Sequence, residues 1–330
     1  MANFLVLSHK HTLFPLAWSL RGAGHNVQVL VRKDRYEKAW EGLFEKHLVG
    51  RDKGPANMQA LVELAEGGEL FVVTDSPAWE EKFKEAPRLF GNGGSGDDPL
   101  GVAQIGAWWD GEGYKVPHLI VRDVGAWAGN QGPLVSSSAG CAWFNGNAMP
   151  ESFVSVMDGL KDHLKSLEFK GLVRVGVKIN HDGTVSHVNH STGWDVLHLH
   201  LLLSGVENVG ELFVGEVKVT HRYSFALPVS IPPWPYLVNM AAKEVEVKGL
   251  SVEMRKSVGW HDVRKVGKTI MTAGLDGLVG VVRRSSDHPT RCIGECLEVA
   301  GSMDVEEKQF RSDGGGLFAR VVMELDRVRV

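Results

Sequence analysis

A chain of 330 residues with 43% hydrophobic and 23% charged side chains carries enough apolar material for two or three cores. Its formal net charge of -4 gives no general attraction to phosphate backbones or anionic lipid, so neither nucleic acid nor a membrane is expected as a partner. Three cysteines, Cys141, Cys292 and Cys296, with no CxxC pair, point away from a disulfide framework or structural zinc and toward a reducing compartment. With no basic leader and no bilayer-length apolar run, the cytoplasm is the expected location.

Residues 3–8 read as a buried strand, 13–21 as a helix stopped near Gly22 and Gly24, and 27–31 as a second strand. Strand, helix and strand in that order make a βαβ unit, hence a parallel sheet with a right-handed crossover. The pattern then predicts helices over 35–46, 56–65 and 78–85 and a strand over 70–74, closed by Leu89-Phe90-Gly91. Residues 92–98, rich in Gly and Ser, cannot anchor a core and mark a boundary. Beyond it strands are expected over 102–109 and 118–121, a helix over 151–167, and a hairpin of 173–179 with 185–188 through His181-Asp182-Gly183. Residues 196–203 fit either helix or strand, being apolar except for His198 and His200. Strands over 214–219, 224–229, 248–253 and 269–273 follow, then a helix over 285–301 with Pro289 in or before its first turn. Pro232-Pro233-Trp234-Pro235 reads as an extended connector. The expected fold class is α/β joined to α+β, in three parts: 1–95, 96–222 and a mostly β 223–330.

Three segments of the last third, LPVSIPPWPY (227–236), VGWHDVRKVGKTIMTAGLDGLVGVV (258–282) and KQFRSDGGG (308–316), resemble in order and spacing the C-terminal domain of phosphoribosylamine–glycine ligase, a family of the ATP-grasp superfamily. GLVRVGVKINHDGTVSHVNHSTGWD (171–195) is similar to the family's paired strands, GNQGP (129–133) to its Gly-Asp-x-Gly-Pro substrate loop, and FLVLSHKHTLFPLAWSLRGAGHNVQVLV (4–31) to its βαβ start. The resemblance implies a Rossmann-like pre-ATP-grasp domain, an ATP-grasp central lobe and a mostly β C-terminal domain. It also implies ATP and magnesium as cofactors, and purine-biosynthesis ligation of glycine to phosphoribosylamine.

Two departures reshape that expectation. Where the family carries a small lobe that clamps adenine and phosphates, only residues 92–107 separate Phe90-Gly91 from Trp108-Trp109-Asp110-Gly111, so a reduced ATP-grasp lobe is expected. The family's metal-binding Glu falls on His187 and its Arg-Phe-Gly on Ser191-Thr192-Gly193, leaving Asn189 and Gly193 as the retained positions of the ligation floor. Magnesium needs carboxylate oxygens, and neutral imidazole replaces them poorly. The expected protein is thus ligase-like but a pseudoenzyme toward ATP, binding a small phosphorylated, phosphoribosylamine- or nucleotide-like ligand between its domains. A non-catalytic scaffold, homo-oligomeric or docked on a protein partner, is the rival reading, and an active ligase the third.

Ser8, His9, Lys10, His11 and Thr12 are candidate ligand contacts, because they precede a helix whose free N–H groups favour a phosphate. A plain helix cap flanked by surface histidines gives the same pattern. Gly132 and Pro133 stand for the substrate loop. His187 and His190, with His198 and His200 downstream, are weak candidates for a transition metal, set against an ordinary polar strand tip. His261-Asp262 juxtaposes an acid and a base, although neighbours on a strand face opposite ways. Arg311 and Asp313 read as a structural ion pair.

Overall fold

Strands whose side chains are apolar at successive positions must bury both faces, and that is how the N-terminal sheet is built. The computed structural model describes residues 1–8, 11–32, 36–44, 47–49, 69–82, 88–91, 103–146, 148–179, 185–235, 240–314 and 318. β1 (Asn3–Ser8), β2 (Asn26–Arg32), β3 (His47–Val49), β4 (Leu70–Thr74) and β5 (Leu89–Phe90) form an all-parallel sheet in the order β3-β2-β1-β4-β5. Central β1 has five of six residues buried. Helix α1 (Phe14–Gly22) connects β1 to β2 with Pro15 in its first turn, burying Phe14, Leu16, Ala17 and Leu20. Gly24, at φ 86°, lets the chain leave the helix and turn into β2. Helix α2 (Pro77–Lys82) follows β4.

Antiparallel strands compose the second sheet. β6 (Ala103–Trp109), β7 (Tyr114–Trp127), β8 (Gln131–Phe144), β9 (Gly171–Ile179), β10 (Val185–Thr192), β11 (Tyr223–Ser230), β13 (Val258–Trp260) and β16 (Leu278–Ser286) run in the order β10-β9-β6-β7-β8-β11-β16-β13. β12 (Glu246–Val247), β14 (Val263–Val266) and β15 (Thr269–Thr272) make a small sheet beside it. Residues before and after position 223 therefore share one hydrogen-bonded sheet, because β11 pairs with β8 on one side and β16 on the other. Helix α3 (Glu151–Ser166) lies against β10, and α7 (Pro289–Ser302) covers β11 and β16.

Between the sheets runs α4 (Val196–Gly205), whose N-cap Asp195 accepts from the His198 backbone N–H at 2.8 Å. Leu197, Leu199, Leu201 and Leu202 are all buried, so the helix is enclosed on every side. After it, α5 (Glu211–Val214) carries Phe213 into the seam. The Phe213 ring meets Phe4 (4.9 Å between centroids) and Phe71 (5.8 Å) of the parallel sheet, Phe90 (4.7 Å), and Trp108 (4.9 Å) of the antiparallel sheet.

Some local expectations are corrected. Residues 36–44 form turns, not the helix expected over 35–46: Trp40 sits at φ 63°, outside helical geometry, and its N–H donates to the Val263 carbonyl. The strand expected over 214–219 is replaced by the end of α5 and one bridge from Val219 to Val206. In place of a strand over 248–253, Ser251 caps α6 (Val252–Lys256) through the Met254 N–H at 3.2 Å. Residues 196–203 resolve as helix. The helix expected over 56–65 and the boundary at 92–98 lie outside the described residues. Among the described residues no helix is long and apolar enough to cross a membrane.

Because Phe213 bridges both sheets, Phe213→Ala is expected to destabilise the chain by about 3–5 kcal/mol in urea unfolding. A loss below about 1 kcal/mol would mean that the sheets dock through other contacts.

Candidate functional site

Open parallel sheets take ligands outside the carboxyl ends of neighbouring strands whose connections leave in opposite directions. Here those strands are β1 and β4. Ser8 ends β1, and its hydroxyl donates to Asp75 at 2.9 Å; Thr74 ends β4, and its carbonyl accepts from the Trp194 indole at 2.8 Å. His11 follows, buried to 3% exposure, with Nε2 2.9 Å from Asp276 Oδ2. Two residues read as phosphate contacts, Ser8 and His11, are thus hydrogen-bonded to carboxylates. Thr12 is half-buried beside them, while His9 and Lys10 lie outside the described residues.

From His11 a line of imidazoles runs inward. His11 Nδ1 lies 3.1 Å from His261 Nδ1, His261 Nε2 lies 2.8 Å from His200 Nε2, and Arg283 Nη1 lies 3.2 Å from His200 Nδ1. Arg283 also donates to Ser19 of α1 at 3.3 Å. Gly259 makes the room, since a Cβ there would stand 2.0 Å from His200 Cε1. The loop that carries Asp276 is held by Asp262, which accepts from the Leu275 and Gly277 N–H groups at 2.9 Å each. His261 and Asp262 do face different ways, one to the imidazoles and one to the loop.

Successive helix positions turn by about 100°, so residues two apart on α4 point nearly oppositely. His198 accordingly faces away from His200 and meets His118 of β7 at 2.9 Å, over Gly106. The structure does not bring His198 and His200 to the His187 and His190 pair. Burial lowers His118 to about 4 and holds His198, His200 and His261 well below the usual imidazole range. For Asp276 burial favours the neutral acid, but the charge that His11 would carry if protonated, its hydrogen bond and the Leu278 N–H outweigh it and hold the carboxyl at about 2.

A second concavity, of about 630 Å³, lies between Ala128 near the β7–β8 turn, the Pro232–Pro235 segment and residues 308–312. Gly132 and Pro133 belong to β8 just past that turn. Asp313 accepts from the Gly129 N–H, tying the turn to the closing segment. Arg311 is 3% exposed and donates to Asp313 at 2.7 and 3.0 Å, Asp123 at 3.2 Å, the Gly125 carbonyl at 2.8 Å and Ser138 at 3.1 Å. Lys308 donates to the carbonyls of Ala300, Gly301 and Met303 at the end of α7. Both cations of this cleft are thereby engaged.

On edge strand β10 a bulge between His187 and Asn189 sets His187 beside His190, their ring centroids 5.7 Å apart, with His163 of α3 5.5 Å from His190. Asn189 keeps its side-chain oxygen buried without a hydrogen-bond partner, and Gly193 turns the chain at φ 101°. Among the described residues no group of three or more His, Cys, Asp or Glu side chains is arranged to hold a metal ion.

No family model and no curated protein sequence matches the chain. Solved structures do. Phosphoribosylamine–glycine ligase of Thermotoga maritima superposes with a TM-score of 0.60 at 12% identity, over 94% of this chain and 100% of that one. Biotin carboxylase of Campylobacter jejuni, solved as a complex with βγ-ATP, gives 0.58 at 6% identity, over 99% and 95%. Pyruvate carboxylase of Rhizobium etli gives 0.55 at 10% identity, over 93% of this chain and 36% of that one.

The chain has an ATP-grasp-like fold.

Magnesium, which the family resemblance implies together with ATP, would need carboxylate oxygens. β10, where the resemblance places the metal position, reads Val185, Ser186, His187, Val188, Asn189, His190, Ser191, Thr192 and carries no carboxylate. Imidazole, amide and hydroxyl groups suit a hard cation poorly, and these residues do not fit magnesium. In the sequence His11, His200 and His261 stand out separately with nothing to join them, and His118, Asp276 and Arg283 do not stand out. The signal available was weak: a Gly two residues before His261, and an Asp in a Gly-flanked turn.

Four buried imidazoles with depressed pKa values make stability depend on pH. Unfolding lets each bind a proton near its ordinary value of 6.5, so the unfolded state holds more protons and stability falls as pH drops below about 6.5. The depressed Asp276 acts in the same sense from 3.8 down to about 2. Burial raises Asp123 and Asp262, which act oppositely around and above the carboxylate range. Urea unfolding between about pH 5.5 and 7.5 is expected to give a positive slope that is near zero at the upper end and rises toward about 1.4 kcal/mol per pH unit for each imidazole at the acid end. A flat profile would contradict the neutral, buried state of these rings.

Proposed function

We propose that this chain is a divergent relative of phosphoribosylamine–glycine ligase that binds a phosphoribosylamine- or nucleotide-like ligand and does not drive ligation with ATP on its own. The convergence of distant segments carries the reading. The turn at Gly129, the Pro232–Pro235 segment and the closing Phe310-Arg311-Ser312-Asp313, each similar to a stretch of that family, meet at one cleft. Its volume of about 630 Å³ lies within the range of small-molecule sites.

Trp234 and Phe310 line the cleft and offer faces for a base or ribose, and Ser230 and Ser312 offer hydroxyls. Lys308 is engaged by three carbonyls and Arg311 by two carboxylates. A triphosphate therefore finds no uncommitted cation among these lining residues, and β10 supplies no carboxylate for its magnesium. Both features favour a ligand of low charge over ATP. Rossmann-like organisation of the first part, a reduced ATP-grasp lobe and a cytoplasmic setting accompany this reading.

Titration calorimetry with glycinamide ribonucleotide, ribose 5-phosphate, AMP and ATP with magnesium tests it. The expected result is saturable binding of glycinamide ribonucleotide or AMP, weakened at least about tenfold, or 1.4 kcal/mol, by Trp234→Ala, with no magnesium-dependent binding of ATP. ADP release that requires glycine and phosphoribosylamine would overturn the proposal. Indifference to all four ligands by a stable oligomer would favour a scaffold.

A further inference from the structure

Four contacts in the imidazole line need four protons, one per contact. Arg283 can only donate, and an ionised carboxylate can only accept; Arg283 stays charged at neutral pH even though burial lowers it to about 10. Arg283 therefore donates to His200 Nδ1, which must be bare, so His200 carries its proton on Nε2 and donates to His261 Nε2. His261 then carries its proton on Nδ1 and donates to His11 Nδ1, and His11 donates from Nε2 to Asp276 Oδ2. The His11 backbone carbonyl faces the His261 ring as well, which favours a proton there. Three neutral rings satisfy every contact, and any additional proton leaves two donors facing each other.

We propose that His200, His261 and His11 form a reversible proton wire, in which a proton accepted at His200 Nδ1 when Arg283 swings aside emerges on Asp276 Oδ2 at the crevice. The transfer balances. Nδ1–H forms on His200 as its Nε2–H proton passes to His261 Nε2; the His261 Nδ1–H proton passes to His11 Nδ1, and the His11 Nε2–H proton to the carboxylate. Solvent supplies the proton, and Asp276 becomes the neutral acid. Each ring ends as the opposite tautomer. Both ends reach the surface: Arg283 is half-buried and the Asp276 side chain is 15% exposed, whereas the three rings are 0–3% exposed.

Three further side chains border the wire. Tyr36 packs edge-on against His11 at 5.9 Å. Asp262 is turned to the loop, where it accepts from the Leu275 and Gly277 N–H groups, so Asp276 is the carboxylate that meets His11. Ser19 receives the Arg283 gate from α1.

Ring-nitrogen NMR of the ¹⁵N-labelled full-length chain tests the wire. At neutral pH His200 and His11 are expected to be protonated on Nε2 and His261 on Nδ1, and on acidification all three tautomers reverse at one shared midpoint. Arg283→Met removes the gate and raises that midpoint by at least about one pH unit, a tenfold change in population. Asp276→Asn accepts the His11 hydrogen bond but not the proton, and so abolishes the concerted reversal. A His261 protonated on Nε2 in the wild-type protein at neutral pH, or three rings with separate midpoints, would overturn the proposal; the wild-type spectrum alone decides this if either variant fails to fold.

Discussion

Between the Arg283 guanidinium and the Asp276 carboxylate, three rings with almost no solvent exposure must each find a donor on one side and an acceptor on the other. Polar groups buried in this way tolerate no mismatch, because one left unsatisfied costs about 1–3 kcal/mol. The requirement reaches far along the chain. It draws the loop before α1, the buried helix α4, the β13–β14 connection, the loop before β16 and β16 itself to one line. Hydrophobic contact at Phe213 presses the two sheets together without regard to direction, whereas the imidazole line tolerates only a narrow range of relative placement.

Secondary structure was legible where local pattern and environment agreed. Residues 70–74 read as a strand and form β4, and the Pro289 helix begins where proline suits a first turn. It was illegible where tertiary contacts overruled propensity. Residues 36–44 have helical composition, yet the Trp40 N–H is claimed by the Val263 carbonyl, more than two hundred positions away. Residues 196–203 remained ambiguous because a fully enclosed helix has no polar face to reveal its period. The candidate site was legible only as fragments: Gly129, Pro232 and Arg311 each stood out, but their meeting depends on β8, β11 and the closing segment lying side by side.

The comparisons settle architecture and leave chemistry to the residues. Ligases and carboxylases in distant organisms share this arrangement with identities of 6–12%. At that distance a superposition shows the fold alone. What the chain could bind has to be argued from its own residues, among them the imidazole-rich interior and the carboxylate-free β10.

The unbroken run of strands across position 223 has a practical corollary for anyone dividing the molecule. A fragment stopped at residue 222 would retain β8 without β11, so residues 140–143 would present unpaired backbone groups along an open margin. Bare strand margins recruit other chains. The first two thirds of this protein would therefore tend to associate with itself, and any attempt to obtain the parts separately would have to carry residues 223–230 along with the piece that precedes them.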